Sequence, residues 1–202
     1  MPHHKTHINK MKLFRKICTG IVEDRKAEKN RTDSNLLNSL LNEDVGLSDQ
    51  EIIDNFVGFF SAGMDTTAHL VTMVIYQLAK YPELAAKLTK EIQENYFDKQ
   101  EPTIEDLKKM EYFDGFIKEI LRHYSPAPGT VLRTATADHM IGDIKVRTGD
   151  LVTINAFCNW FDEKNFEDAD KFDPDRWQKM KGLSDPFVYA PFWAGPRNCI
   201  GQ

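Results

Sequence analysis

Cysteine is scarce in this chain of 202 residues, which contains only three. Cys18, Cys158 and Cys199 are odd in number and widely spaced, so neither a disulfide framework nor a CxxC zinc site is indicated, and a reducing compartment is favoured. Long apolar segments are lacking at the start as well. Residues 1–30 are polar and basic, so the sequence predicts neither a secretory signal nor a membrane anchor in this chain.

An excess of positive charge is also missing. The chain has 26 basic and 31 acidic residues, with a formal net charge of -5. Without a basic face to follow phosphates, nucleic-acid binding is not expected. The glycosylation sequon at residues 30–32 is expected to stay unused, because no secretory signal precedes it. A hydrophobic content of 41% is instead typical of a globular unit with a substantial core.

A long central helix is the first element that the sequence predicts. Ser48 and Glu51 form a capping box, which starts a helix by satisfying free backbone donors. Apolar residues then recur on most sides until Pro82 stops the helix. The predicted helix covers residues 49–80, and its apolar surface requires surrounding protein.

The rest of the chain predicts a mainly α fold with a small antiparallel β portion. Residues 1–35 are expected to be a polar lead-in, with 23–35 as a loop or frayed helix. A helix is predicted over 112–124, where two prolines forbid its continuation. Residues 130–156 alternate β-branched and polar side chains, which is typical of short antiparallel strands. Beyond residue 157 we expect aromatic, proline-rich loops.

The residues with the most distinctive chemistry lie at 192–201. Their pattern places Cys199 among Phe192, Gly195, Arg197 and Gly201. A thiolate stays ionised near backbone amides and a cation, and glycines let the backbone approach a flat ligand. An inert buried cysteine in an aromatic loop is the alternative.

These five positions resemble the haem-binding signature of the cytochrome P450 family. The resemblance implies that the Cys199 thiolate is the proximal ligand of the iron of haem b. It also implies that Arg197 pairs with a haem propionate and that Phe192 packs beside the cysteine. Roughly the N-terminal half of a family member would be missing, so residues 1–202 would form an incomplete C-terminal part of that fold, here a partial domain.

A second motif of the family lies within the predicted central helix, at Ala62, Gly63, Asp65 and Thr66. Glycine inside a helix costs about 1 kcal/mol relative to alanine, so its presence requires a reason. The resemblance implies that Ala62 and Gly63 let the helix bend over the haem. Thr66 would then hold dioxygen and water, and Asp65 would supply protons. The alternative is a threonine bonded to its own helix and a solvated aspartate.

A third motif is the pair Glu119 and Arg122, which share one helix face at spacing i, i+3. Most such pairs are solvated and contribute about 0–1 kcal/mol. The resemblance instead implies a buried structural network that Arg176 completes and that locks the loop carrying Cys199.

The segment after this helix holds the remaining candidate residues. The resemblance implies that Arg133 pairs with the second haem propionate. It also implies that Val131, Leu132 and Phe59 line the substrate pocket. An ordinary solvated strand arginine is the alternative for Arg133. Cys18 and Cys158 match no position of the family and are expected to be structural.

The function that the resemblance implies is a haem-thiolate monooxygenase. Such an enzyme takes electrons from a reductase and inserts one oxygen atom of O2 into an apolar small molecule. Two alternatives stay open: a truncated, non-catalytic fragment with weak or no haem binding, and a peroxide-rearranging family member. The motifs are closer to microsomal eukaryotic members, which implies a full-length protein in the endoplasmic reticulum membrane. The substrate cannot be inferred from the sequence.

Overall fold

The structure is a computed structural model that describes residues 2–28, 33–96, 101–180 and 185–202. The sequon at residues 30–32 lies outside these ranges. The chain divides into two compact units, Met1–Asp65 and Thr66–Gln202. No helix among the described residues has both the length and the hydropathy to cross a membrane.

The first unit is helical. Its elements are α1 (Pro2–Ala27), α2 (Leu36–Leu40), a 3-10 turn (Glu43–Val45) and the first half of α3 (Asp49–Lys80). The predicted capping box starts α3: the Ser48 amide donates to Glu51 Oε2 at 2.8 Å, and the Glu51 amide donates to Ser48 Oγ at 3.4 Å. These bonds satisfy donors that the helix itself leaves free.

A small apolar core holds the first unit together. Val22 of α1, Leu37 of α2, Leu41 directly after α2, and Ile52 of α3 are buried against one another. Two ion pairs join α1 to α3 in this unit, Arg15 with Asp54 and Lys26 with Asp49, each at 2.5 Å. Burial of the four apolar side chains is the main source of stability here, because exposed ion pairs contribute little.

Residues 1–35 were expected to be a polar lead-in, and most of this segment is helix α1, which continues to Ala27. Phe14, Cys18 and Val22 follow one another at i, i+4 and i+8, and Cys18 and Val22 are almost fully buried. Three apolar residues at helical spacing bury one face, although the average composition of the segment is polar.

In its described residues, the second unit contains the rest of α3, five further helices and four strands. The helices are α4 (Pro82–Tyr96), α5 (Ile104–Leu107), α6 (Glu111–His123), α7 (Phe157–Trp160) and α8 (Arg176–Lys179). The helix predicted at 112–124 is therefore α6, shifted by one residue. Among the described residues from 157 onward, α7 and α8 are short helices, where only loops were expected.

The strands form two separate two-stranded antiparallel sheets. Strand β1 (Arg133–Thr134) pairs with β4 (Leu151–Val152), and β2 (His139–Ile141) pairs with β3 (Ile144–Val146). Two glycines make the turns in the left-handed conformation that favours glycine, Gly142 with φ +60° and Gly149 with φ +91°. The predicted fold class, mainly α with a small antiparallel β portion, is confirmed.

Helix α6 runs through the interior of the second unit. Phe116 and Ile120 are fully buried, and the Glu91 carboxylate of α4 accepts the free amides of Tyr112 and Phe113 at 2.7 and 2.8 Å. An acidic side chain from another helix therefore caps the N-terminus of α6, where the helix dipole favours negative charge.

A second apolar cluster is formed by residues that come after α6 in the chain. We call it the tryptophan cluster: the buried residues are Ala156, Trp160, Phe166 and Ala169, and the half-buried residues that pack on them include Trp177, Tyr189 and Trp193. Of the two cysteines expected to be structural, Cys18 is buried in α1, whereas Cys158 is exposed on α7. Cys158 lies on the exposed side of this four-residue helix, whereas Trp160, two residues later, is buried.

Candidate functional site

The residues around Cys199 form a compact turn, which we call the cysteine turn (191–202). The Cys199 amide donates to the Phe192 carbonyl at 2.8 Å, and the Asn198 amide donates to the Gly195 carbonyl at 3.1 Å. Gly195 has φ +86°, and an added Cβ there would meet nothing within 4 Å. The turn thus brings the chain back on itself at Gly195 and leaves that side of the backbone open.

The thiol of Cys199 is exposed at the surface of this turn. The Gly201 amide donates to Cys199 Sγ at 3.4 Å, and a Cβ added at Gly201 would stand 3.6 Å from that sulfur. Arg197, two residues earlier, is exposed as well, and Phe192 is half-buried. A thiol with a backbone donor and free access is suited to act as a thiolate ligand.

The structure brings Glu119, Arg122 and Arg176 together into one buried network. Arg122 donates to Glu119 Oε2 through Nε at 3.0 Å and to Oε1 through Nη2 at 2.8 Å. Arg176 Nε adds a bond to Oε1 at 3.0 Å. The Glu119 and Arg122 side chains are 0% exposed, so this is not the solvated pair that the spacing alone would favour.

The two guanidinium groups also organise the backbone that follows α7. Arg122 Nη1 donates to the carbonyls of Trp160 at 2.6 Å and Ala169 at 2.8 Å. Arg176 donates to the carbonyls of Glu167, Asp168 and Lys171 at 2.6, 3.1 and 2.9 Å. Donors that Glu119 does not use are therefore satisfied by carbonyls, as buried cations require.

Sequence reasoning missed three partners of Glu119. The Trp177 indole donates to Oε2 at 3.0 Å, the Asp173 amide donates to Oε1 at 3.0 Å, and His123 Nε2 lies 3.4 Å from Oε1. Trp177 and His123 each follow a network arginine directly in sequence, which is the only signal that pointed to them. Asp173 contributes a backbone amide, and side-chain identity does not reveal such a contact.

The electrostatics of the network centre on Glu119. Burial by itself would raise the pKa of its carboxyl group, but the hydrogen bonds from His123 and Arg122 and the positive charge of Arg122 outweigh that effect. The pKa falls to about 2, so the group is ionised throughout the physiological range. The charge is structural, because all of its donors come from the chain itself.

The other predicted residues are largely exposed. Arg133 lies on β1 opposite Val152, and Val131 and Leu132 precede that strand with 73% and 57% of their surface exposed. On α3, residues 62–68 are all exposed, whereas Phe59 is half-buried. Phe59, Ala62, Gly63 and Asp65 belong to the first unit; Thr66 and the cysteine turn belong to the second.

A cavity of about 520 Å³ lies between α6 and the cysteine turn. Its lining includes Ile117 and Leu121 of α6 and, from the turn and the segment before it, Tyr189, Phe192 and Trp193. Tyr189 is fixed there because its hydroxyl donates to the Lys118 carbonyl at 2.9 Å. Burial raises the pKa of this phenol far above its ordinary value, so it remains a neutral donor.

The chain is similar to known proteins of one family. The family model described as Cytochrome P450 matches residues 1–202. The chain is 36% identical over 156 residues to "Cytochrome P450 3A5" of Homo sapiens, covering 77% of this chain and 31% of that protein. It is 34% identical over 200 residues to "Cytochrome P450 3A2" of Rattus norvegicus and 32% identical over 201 residues to "Cytochrome P450 3A15" of Cavia porcellus. These two alignments cover 94% and 95% of this chain and 40% of each relative, so the chain spans well under half the length of the curated relatives that it matches.

Proposed function

Because the chain belongs to the cytochrome P450 family, we propose that it carries the haem-ligating part of a haem-thiolate monooxygenase. The observation that carries the proposal is the exposed Cys199 thiol, held in a closed turn with a backbone donor on its sulfur. The reaction would insert one oxygen atom of O2 into an apolar organic substrate, with electrons from a reductase. When bound, haem b supplies the oxygen chemistry, and a cysteine ligand pushes electron density toward its iron.

The residues of the cysteine turn fit such a cofactor. Cys199 would be the iron ligand, because its sulfur is accessible and already accepts the Gly201 amide. Gly195 and Gly201 would let the backbone approach the flat face of the porphyrin, and space is open where a Cβ of Gly195 would stand. Phe192 would pack beside the sulfur and keep water from it.

Two exposed cations are available for the carboxylates of haem. Arg197 in the cysteine turn and Arg133 on β1 would each bind one propionate, and a guanidinium can hold a carboxylate with two parallel hydrogen bonds. Val131 and Leu132, which directly precede Arg133, would offer their exposed apolar side chains to the substrate. Phe59 would add a further apolar wall.

The exposed stretch of α3 would serve proton transfer. Asp65 would take a proton from solvent on its carboxylate and pass it to a water molecule, which the Thr66 hydroxyl would position by hydrogen bonding. Ala62 and Gly63 have small side chains, so they would allow the cofactor to approach the helix. All four residues are exposed.

The network around Glu119 would support the site without touching the cofactor. It fixes the carbonyls of Trp160 and Ala169, and both residues belong to the tryptophan cluster on which the cysteine turn packs through Trp193. Its role would be to hold the cysteine turn in one position. Because the relatives carry cytochrome P450 3A names, we propose an endoplasmic reticulum location for the whole protein.

The test is the carbon monoxide difference spectrum of the reduced protein with haem supplied. The full chain should give the strongly red-shifted Soret band of thiolate-ligated haem, and Cys199→Ser should lose it. Cys158→Ser is the matched control, since Cys158 is also exposed, and it should keep the band. Absence of haem uptake, or a band indifferent to Cys199→Ser, would contradict the proposal.

A further inference from the structure

Trp193 has an unusual backbone for a large side chain. Its φ is +61°, and among the described residues other than glycine only Asp168, at +49°, shares a positive φ. Aspartate tolerates the left-handed region because its short side chain can bond locally, whereas a bulky residue there is strained by roughly 1–3 kcal/mol. Strain of this kind persists only where the surroundings hold it in place.

Two sets of contacts hold Trp193 in this conformation. Its amide donates to the Ala190 carbonyl at 2.9 Å, which closes the turn immediately before it. Its indole ring packs against the tryptophan cluster. An indole buries a large apolar area, so this packing can offset the backbone strain.

The position of Trp193 connects two parts of the molecule. On one side, the tryptophan cluster contains Trp160 and Ala169, whose carbonyls are fixed by the buried Arg122. On the other side, the residue directly before Trp193 is Phe192, whose carbonyl accepts the Cys199 amide at 2.8 Å. The left-handed Trp193 therefore sets the direction of the chain within the cysteine turn, at the point where the turn packs on the cluster.

From these contacts we infer that Trp193 is a positioning residue for Cys199, acting through the Phe192 carbonyl. This role rests on the proposed function of Cys199 as the iron ligand. The packed indole determines the left-handed backbone, the backbone aims the Phe192 carbonyl, and that carbonyl holds the Cys199 amide. The alternative is that Trp193 is an ordinary half-buried core residue whose loss would weaken the whole unit uniformly.

Amide hydrogen exchange resolved by residue separates these two roles and requires no haem. In the full chain, Trp193→Ala keeps the backbone strain but removes the ring, so the turn should open. We expect exchange of the Cys199 amide to become faster by about tenfold or more. The Gly149 amide, which donates to the Ala135 carbonyl at 2.8 Å in the same unit, is the control and should not change. Trp193→Phe keeps an aromatic ring on the cluster and should retain most of the protection at Cys199.

Two results would overturn the inference: an unchanged Cys199 amide in folded Trp193→Ala, or equal acceleration at Cys199 and Gly149, which would mark a loss of global stability alone. If circular dichroism shows that Trp193→Ala does not fold, Trp193→Leu is judged by the same two amides.

The carbon monoxide spectrum then links the role to the cofactor. Trp193→Ala should convert part of the red-shifted band to that of haem without a thiolate ligand, and Trp193→Phe should restore it. A full red-shifted band in Trp193→Ala would contradict a positioning role. If the wild-type chain takes up no haem, the proposed function fails, while the exchange rates still decide whether Trp193 positions the turn.

Discussion

The buried carboxylate of Glu119 and the exposed thiol of Cys199 have opposite surroundings. Glu119 accepts hydrogen bonds from Arg122, Asp173, Arg176 and Trp177, and His123 Nε2 lies 3.4 Å from its Oε1, so all of these partners belong to the chain itself. Cys199 Sγ accepts a hydrogen bond from the Gly201 amide, and Cys199 is exposed to solvent. The carboxylate of Glu119 is thus satisfied by groups of the chain itself, whereas the Cys199 thiol is accessible to solvent. Removing a framework group should therefore cost stability, whereas removing a site group should cost function.

The largest effect is expected from Glu119→Ala. The substitution leaves Arg122 and Arg176 buried without a counter-charge, which typically costs about 3–5 kcal/mol. Urea unfolding followed by tryptophan fluorescence should show a much lower midpoint, or no folded baseline. Asp114→Ala is the control on the same helix, because Asp114 is exposed and pairs with Lys118 at 2.5 Å, an interaction worth about 0–1 kcal/mol. Equal effects of the two substitutions would contradict the contrast between framework and surface.

Acidification should weaken the same network. The pKa of Glu119 is about 2 in the folded chain, below its ordinary value of 4.5, because its hydrogen bonds and the charge of Arg122 overcome the cost of burial. A lowered pKa contributes stability above pH 4.5 that is lost as pH falls toward 2, in total about 3 kcal/mol. The free energy of unfolding, measured at several pH values, should decline in this window. In Glu119→Gln the decline should be shallower, and an identical slope would contradict the assignment.

Much of the fold could be predicted because its signals are local. The cap at Ser48 and the stop at Pro82 predict the span that α3 occupies, Asp49–Lys80. Helix α1 was missed because only Phe14, Cys18 and Val22 carry its apolar face within a polar segment. An apolar stripe of one residue in four is not apparent when the hydropathy of the whole segment is averaged.

In the candidate site, too, local contacts could be predicted from the sequence and distant contacts could not. Glu119 and Arg122 lie three residues apart, so their shared helix face could be predicted from spacing. The Asp173 amide and the Trp177 indole reach Glu119 from 54 and 58 residues away, and no periodic pattern predicts such contacts. The left-handed backbone of Trp193 could not be predicted either, because sequence rules assign that conformation to glycine or asparagine.

A smaller change, an increase in the free energy of unfolding, is expected for a substitution inside α3. Gln77 is fully buried, and neither atom of its carboxamide has a hydrogen-bond partner among the described residues. Gln77→Met should therefore raise the free energy of unfolding by about 1 kcal/mol, because it removes an unsatisfied polar group at similar volume. Gln178→Met, at an exposed position of α8, should leave stability unchanged. A loss of stability in Gln77→Met would indicate that an internal water satisfies the amide.

The smallest effect on stability is expected at Asp65. This residue of the proposed site should affect turnover and not the free energy of unfolding, in contrast to Glu119. Asp65 is exposed on α3, twelve residues before the buried Gln77 on the same helix. Asp65→Asn keeps the shape of the side chain and removes its ability to carry a proton, so the free energy of unfolding should change by no more than about 0.5 kcal/mol. Turnover of the whole enzyme with its reductase should nevertheless fall by roughly a hundredfold, the usual contribution of a positioned proton donor. Asp54→Asn, an exposed acid eleven residues earlier on α3, is the control and should retain turnover. Equal turnover in the two variants would remove Asp65 from the proton path. The haem assignment of Cys199 would be unaffected, because it depends on the sulfur and its turn rather than on α3.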